Sequence, residues 1–389
     1  MRALRKLVYF IWKKLSEKSS RSKLKLIFFK HDLERFRNCT NVKPPALMKR
    51  EMKVLQQYWG CFPFQYYRFD FYKRSCLLST EEMKKYVPLY FLHHLYFPHS
   101  YKEYGVLCED KLLTYALLKS YDVPQPKLLF CYDHNTFFDA SNNSISAAEA
   151  DALIESSKVS TLFVKPRFGS EGKGITIFNR KAGDFLNEEN TTFNHHFFRN
   201  GILKKTITGR DQSGRFIVQE GLSQHEELSI IYPNAVNTYR IITECKNGDA
   251  RILYCVIRLG SGGRQIDNAS AGGIFVRVNL ETGELYDTAQ AFDQSTCTAH
   301  PDSGFVFKGT LMKTWQVVRP FTLAAARKFR EIRFLGWDIA VTKNGPAVIE
   351  FNNKPDFAGI QDSYGGIRDD LNIHPKEWWY QTNYTIKNW

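Results

Sequence analysis

Two carboxylates and an amide, Asp338, Glu350 and Asn352, fall within the stretch Phe334 to Phe357, FLGWDIAVTKNGPAVIEFNNKPDF. All three offer hard oxygen atoms. Trp337 to Thr342 and Pro346 to Asn352 each read as a strand, with Lys343-Asn344-Gly345 as the turn between them. A three-residue loop with Gly345 in the left-handed position pairs Thr342 with Pro346, and hence Asp338 with Glu350. Period-2 alternation then puts Asn352 on the same face. Facing side chains on paired strands have Cβ atoms about 4.5–5.5 Å apart, so two like charges there repel unless a cation sits between them. Two carboxylates and an amide oxygen suit Mg²⁺, which keeps several waters and binds substrate phosphates alongside one or two carboxylates. A surface hairpin with solvated acids fits this stretch equally well, and a two-residue Asn344-Gly345 loop would send the carboxylates to opposite faces.

Cationic counterparts stand further upstream. TLFVKPRFGSEGKGITIF (Thr161 to Phe178) reads as strand, glycine loop, strand, with Lys165 closing the first strand and Arg167 beginning the loop. It fits neither the Walker pattern nor the dinucleotide fingerprint. Its glycines can still bring backbone amides close to phosphates. A plain hairpin with a surface lysine is the competing reading. In NTYRIITE (Asn237 to Glu244), alternation sets Thr238 and Arg240 on one side and Tyr239 and Ile241 on the other. The strand Arg251 to Leu259 carries Arg258 near its end and runs into the glycine-rich loop Gly260 to Gly273. Either arginine could be solvated. Both could also aim at one phosphate-sized target.

The elements that must position these groups lie mostly after residue 105. EDKLLTYALLKSYDVPQPKLLFCYD, from Glu109, reads as a helix opened by Asp110-Lys111, a break at Val123-Pro124 and a strand Lys127 to Cys131. A polar segment, Asn135 to Ser146, and a short helix, Ala147 to Ser156, follow. Arg215 to Leu222 reads as a buried strand ending in Gln219-Glu220-Gly221. Residues 30 to about 104 are rich in aromatics and read as helical, with loops near Pro44-Pro45, Pro63 and Pro98. His93-His94 and His99 do not share a helical face, which disfavours a metal site.

Composition narrows the partners. The chain has 389 residues, long enough for two or three domains with real cores, and 43% hydrophobic residues, ordinary for a globular protein. Its eight cysteines form no CxxC pair, which argues against a zinc site or a disulfide framework and for a reducing compartment. The net charge is +14, but residues 1–30 hold ten Lys/Arg against the single acid Glu17, leaving +5 for the remainder. By charge, then, the body of the protein is no nucleic-acid surface. Residues 1–29 combine the basic residues with Leu4, Leu7, Val8, Ile11 and Leu15 at helical spacing. The apolar run Leu7 to Trp12 is too short to span a membrane. It fits a basic amphipathic helix on an anionic membrane, or a helix packed on the protein's own next helix.

Taken in order, Asp110-Lys111, Val164-Lys165-Pro166 with the glycine loop, Val218-Gln219-Glu220, NTYRIIT, RLGSGG, DNASAGG, HPDSG (His300 to Gly304) and GWDIAVTKNGPAVIEFN resemble the sugar-transfer-associated ATP-grasp family, related to α-L-glutamate ligases. The resemblance covers roughly Gly105 to Gln361. It implies an α+β, ATP-grasp fold, two α+β subdomains gripping ATP, here preceded by a mostly helical region. The implied divisions are residues 1–104, helical with the basic start; 105–158, leading into the core; 159–222, the small subdomain with the glycine loop; and 223–389, the subdomain with the metal site.

The resemblance also implies roles. Lys111 and Lys165 match lysines on the ATP phosphates. Arg167 to Gly174, with Ser170, match the mobile loop above them. Gln219, Glu220 and Leu222 match the hinge that reads adenine. Asp338, Glu350 and Asn352 match ligands of two Mg²⁺ ions. Arg240 and Arg258 match the catalytic arginines on the transferred phosphate and the acyl phosphate. NASAGG is similar to the substrate loop of glutathione synthetase and of ribosomal-protein glutamate ligases, which makes Asn268 and Ser270, together with Asn237 at the head of NTYRIIT, the expected substrate contacts. The implied activity is an ATP-dependent carboxylate-amine ligase acting through an acyl phosphate, joining an amino acid or amine to a small-molecule or lipid-linked sugar of surface polysaccharide biosynthesis. The expected setting is the cytoplasm, at the inner face of a membrane touched by residues 1–29, with no nucleic-acid partner. An ATP-grasp kinase acting on a hydroxyl, or a non-catalytic glycan-binding protein at the membrane, are the alternatives.

Overall fold

A computed structural model describes residues 30–96, 104–169, 174–200, 214–267 and 272–375. The basic segment 1–29, Pro98 and His99 lie outside the described residues. Among those described, no helix is long and apolar enough to cross a membrane. The chain divides into two compact units, one of Met1–Lys102 with Asp356–Trp389 and one of Glu103–Pro355.

The Glu103–Pro355 unit holds two seven-stranded sheets. The first contains β1 (Leu128–Asp133), β2 (Thr136–Asp139), β3 (Ser144–Ile145), β4 (Thr161–Pro166), β5 (Thr176–Lys181), β6 (Asp184–Leu186) and β7 (Arg215–Glu220), in the order β3-β2-β1-β7-β4-β5-β6. Every pairing in it is antiparallel. The polar segment Asn135 to Ser146 contains β2 and β3. Phe137 explains this, because its ring is buried against Phe130, Tyr132 and Phe198 and drags the backbone into the sheet. Helix Ala147–Ser156 starts at a capping box in which Ser146 and Glu149 satisfy each other's backbone amides. It buries Ala150 and Ile154 in the apolar cluster with Leu162, Val164 and Val218.

The second sheet contains β8 (Thr238–Lys246), β9 (Asp249–Leu259), β10 (Ile274–Val278), β11 (Leu285–Ala291), β12 (Thr296–Cys297), β13 (Phe334–Thr342) and β14 (Gly345–Asn352), in the order β12-β11-β10-β9-β8-β13-β14. One face is apolar. Tyr239, Ile241, Ile257, Trp337 and Ile339 join a single core with Val318, Ala325 and Ala326 of helix Trp315–Lys328. Alternation therefore sends Thr238, Arg240, Arg258 and Asp338 to the opposite face.

In the other unit, helices Lys30–Asn38, Pro45–Trp59, Gln65–Arg68, Thr80–Met83 and Leu89–Phe91 lead into a π-helical turn, Leu92–Tyr96. Leu55, Tyr66, Phe71, Tyr72 and Met83 form the core. Helix Phe357–Tyr364 belongs here: Gln361 bonds both to the amide of Val87 (2.6 Å) and to its carbonyl (3.1 Å), and Arg68 pairs with Asp362. Residues 356–389, expected within the 223–389 subdomain, group instead with residues 1–102.

Candidate active site

The β13–β14 hairpin brings Asp338 opposite Glu350, but not by the expected route. Thr342 pairs with Gly345, so the turn has two residues, Lys343-Asn344. That register runs through Val341↔Pro346, Ala340↔Ala347 and Ile339↔Val348, and left alone would set Asp338 against Ile349. A one-residue irregularity between Ile339 and Asp338 leaves Ile349 over, and pairing resumes at Asp338↔Glu350 and Gly336↔Asn352. Packing explains the bulge. Val348 and Phe351 both belong to the core although three residues apart, which regular alternation forbids. The bulge seats both and turns Glu350 and Asn352 toward Asp338.

Asp338 is almost fully buried and holds two guanidinium groups. Arg240 Nη1 donates to its Oδ1 at 2.7 Å and Arg258 Nη2 to its Oδ2 at 2.8 Å. Arg240 also reaches Asn352: with the amide turned so that each atom meets a suitable partner, Oδ1 accepts from Arg240 Nη1 at 3.3 Å and Nδ2 donates to the Lys354 carbonyl at 3.3 Å. Burial alone would raise the Asp338 carboxyl, but Arg240, Arg258 and a hydrogen bond with Glu350 outweigh it and hold it below the usual carboxylate range. Glu350 moves the other way, raised by burial and then by the neighbouring Asp338 charge. Of the two carboxyls, Asp338 is therefore the one whose charge its surroundings favour, and Glu350 the one whose charge they disfavour.

Across from these acids stands Lys165 of β4, paired with Ile217 of β7. Its ammonium lies 5.4 Å from the Phe163 ring centroid and has no hydrogen-bond acceptor among the described residues. Burial depresses its pKa to about 8, with Glu350 pulling it up and Lys111 pushing it down. Lys111 opens helix Lys111–Ser120 and donates to the Gly169 carbonyl at 2.9 Å. Lys111, Lys165, Arg240 and Arg258 face Asp338, Glu350 and Asp267, so the cluster carries surplus positive charge. An unpaired buried lysine beside hard oxygen donors and excess cationic charge fits a polyanion accompanied by a hard divalent cation.

Other expected contacts behave differently. Arg167 is not aimed at a phosphate: Nε and Nη2 grip Asp110 at 2.8 and 2.7 Å. Asp110 is also the N-cap of the helix that begins with Lys111, and Lys111 N donates to the Arg167 carbonyl at 3.0 Å. The pair fixes where Lys111 starts. Asn237 is wholly buried, and its amide is saturated by backbone: Nδ2 donates to the carbonyls of Leu228 (3.2 Å) and Tyr232 (2.8 Å), and Oδ1 accepts from Gly260 N at 3.1 Å. It is a loop anchor rather than a substrate contact. Ser170, Asn268 and Ser270 lie outside the described residues.

The hinge after β7 is tight. Gln219 is buried in the strand, and the Glu220 carboxylate accepts from Ser157 Oγ at 3.2 Å and Lys127 Nζ at 3.4 Å. Gly221 N donates to the Thr161 carbonyl at 2.7 Å, and a Cβ at Gly221 would sit 2.8 Å from that oxygen. The Leu222 amide has no hydrogen-bond partner among the described residues and remains available to a ligand. Three residues later His225 N donates to Val341 O at 2.7 Å, tying the hinge to β13.

Asp267 was missed by sequence reasoning. Its Oδ2 accepts a hydrogen bond from Thr238 and lies 3.7 Å from Arg258 Nε. A single acid at the head of DNASAGG carries no spacing signal that would have distinguished it.

A family model described as sugar-transfer associated ATP-grasp matches residues 92–371, more than two thirds of the chain. No curated protein matches the sequence. Similar solved structures include an L-amino acid ligase from Bacillus licheniformis (12% identity, 65% of this chain and 42% of that one, TM-score 0.35). A D-alanine–D-alanine ligase from Bacillus anthracis also matches (12% identity, 71% and 70%, TM-score 0.35). So does a biotin carboxylase from Campylobacter jejuni (12% identity, 64% and 40%, TM-score 0.39). The chain thus spans less than half the length of the first and third of these.

Proposed function

Since the chain belongs to the sugar-transfer associated ATP-grasp family, we propose that it is an ATP-dependent carboxylate-amine ligase acting through an acyl phosphate. The observation that carries this reading is the opposition of Lys165, buried without an acceptor among the described residues, to the paired carboxyl groups of Asp338 and Glu350.

Lys165 and Lys111 would hold the ATP phosphates, and the open Leu222 amide would meet the adenine edge. Asp338, Glu350 and Asn352 would hold two Mg²⁺ ions. Bound there, Mg²⁺ supplies charge neutralisation and orientation to the terminal phosphate. A carboxylate becomes a usable electrophile once phosphorylated: the γ-phosphoryl passes to its oxygen, ADP departs, and an amine then displaces phosphate to form the amide. Phosphoryl transfer depends on positioning and charge rather than a protein nucleophile. Arg240 and Arg258 would bind the developing negative charge, a role in which losing one donor costs about 10²–10³ in rate. The Asp110–Arg167 clamp holds Lys111 and the start of the glycine loop in register for this.

The substrate pair we favour is an amino acid or amine with a small-molecule or lipid-linked sugar bearing a carboxyl or amino group, in surface polysaccharide assembly at the inner face of a membrane. The family's sugar-transfer association supports this, as does the basic charge of residues 1–30.

The test is ADP release in a panel of amino acids, uronic acids and amino sugars, with hydroxylamine added to capture acyl phosphate. Hydroxamate dependent on ATP and one acid is the expected result. ADP release with a sugar hydroxyl acceptor and no hydroxamate would replace the ligase by a kinase.

A further inference from the structure

Arg258 has two carboxylates, and only one belongs to the oxygen set of Asp338, Glu350 and Asn352. Its Nη2 donates to Asp338 Oδ2 at 2.8 Å, while its Nε faces Thr238 Oγ1 at 3.4 Å and Asp267 Oδ2 at 3.7 Å. Thr238 donates its hydroxyl to Asp267, so the second carboxylate is itself held in place. Its backbone is held too. A Cβ on Gly273 would fall 2.6 Å from the Asp267 carbonyl and 2.8 Å from that of Leu259, so only glycine lets the two ends of the loop close this tightly.

Each Asp338 oxygen already accepts a guanidinium donor, Oδ1 from Arg240 and Oδ2 from Arg258. A divalent cation that uses Asp338 must weaken both pairings. Arg240 lies against the Asn352 amide oxygen, which belongs to the same oxygen set. Arg258, buried and always charged, needs another anion, and Asp267 is the one within reach.

We propose that Asp267 is a positioning residue for Arg258, keeping the guanidinium paired within the site when Asp338 turns to a divalent cation. This rests on the cation reading of Asp338, Glu350 and Asn352. Without Asp267 the guanidinium has no alternative and competes with the cation for Asp338.

The experiment is calorimetric titration of MgCl₂ into the full chain saturated with ADP, which needs no acceptor substrate. Asp267→Asn keeps the hydrogen bond from Thr238 and removes the charge. It is expected to weaken Mg²⁺ uptake about tenfold, with Asp267→Glu recovering part of the loss. In an Arg258→Gln background the same Asp267→Asn change is expected to have no effect, which a general loss of negative charge would not produce. Should Asp267→Asn fail to fold, Thr238→Val carries the test, with about threefold weaker uptake expected. Uptake unchanged within twofold, or weakening of equal size in the Arg258→Gln background, overturns the proposal. Wild-type chain that binds ADP yet takes up no Mg²⁺ sinks the cation reading, and this inference with it.

Discussion

Replacing Lys165 by methionine should make the ligand-free protein more stable and the nucleotide-bound protein less so. Burial without an acceptor lowers the lysine from 10.5 to about 8, and each unit of pKa corresponds to about 1.4 kcal/mol. Keeping Lys165 charged in the fold at neutral pH therefore works against stability by about 3 kcal/mol. The sign follows from the direction of the shift. Between about 8 and 10.5 the unfolded chain binds the proton and the fold does not, so stability rises with pH across that window. Below about 8 the full penalty is present. Methionine has nearly the same shape and no charge, so Lys165→Met should unfold at higher temperature than wild type at pH 7, by up to about 3 kcal/mol. The gap should close as pH rises past 8. Lys165→Arg makes the opposite case, because arginine cannot shed its proton and should gain none of the stability that wild type gains as pH rises past about 8. Nucleotide reverses the order. A ligand at about 100 times its Kd adds about 2.7 kcal/mol to the form that binds it, and Mg²⁺-ATP should raise the melting temperature of wild type but not of Lys165→Met. Paired melting curves from pH 6.5 to 10, with and without Mg²⁺-ATP, decide it. A Lys165→Met protein less stable than wild type at pH 7, or one still stabilised by Mg²⁺-ATP, would refute the reasoning.

Glu350→Gln should leave the ligand-free melting temperature close to wild type, since burial and the neighbouring Asp338 already disfavour the Glu350 charge, yet lower ADP release at least about 10²-fold; wild-type turnover would remove Glu350 from the oxygen set. Gly221→Ala should lower stability by about 1–3 kcal/mol, because its Cβ would lie 2.8 Å from the Thr161 carbonyl and 2.9 Å from Thr161 Cβ. It should also weaken ATP binding by shifting the hinge, and a melt indistinguishable from wild type would show the hinge to be looser than this geometry. Asn237→Ala strands the Gly260 amide and the carbonyls of Leu228 and Tyr232, which should cost about 1–3 kcal/mol or more. ADP binding should nevertheless persist, and selective loss of a carboxylate substrate's binding at unchanged stability would restore Asn237 as a substrate contact.

The side chains that alternation alone could place were legible. Tyr239, Ile241, Ile257 and Leu259 are apolar neighbours of Arg240 and Arg258, so a strand reading puts both arginines on the face away from the core. The pairing of Asp338 with Glu350 was legible only by compensation. The turn is one residue shorter than the three-residue reading, and the bulge at Ile349 restores the register. Val348-Ile349-Glu350-Phe351 carries a weak trace of it, two core residues three apart. What stayed hidden depends on long-range closure. Arg167 and Asp110 are 57 residues apart, and no local pattern shows them to be bidentate partners. Asn237 misled for a related reason: an amide before a strand looks available until the backbone it saturates comes into view.

The division of labour among the four cations follows from which of them can lose a proton. Arg240 and Arg258 remain charged at any working pH, so each buried guanidinium must be given a carboxylate, and Asp338 serves both. Lysine can be neutralised by its surroundings, so a fold can leave Lys165 without an acceptor at bounded cost. Had the arginine and lysine positions been exchanged, an unpaired guanidinium would stand at the Lys165 position, at a cost that no loss of a proton could relieve. Lys165, still charged at neutral pH and without an acceptor among the described residues, consequently carries a penalty in the ligand-free fold that a bound anion would relieve.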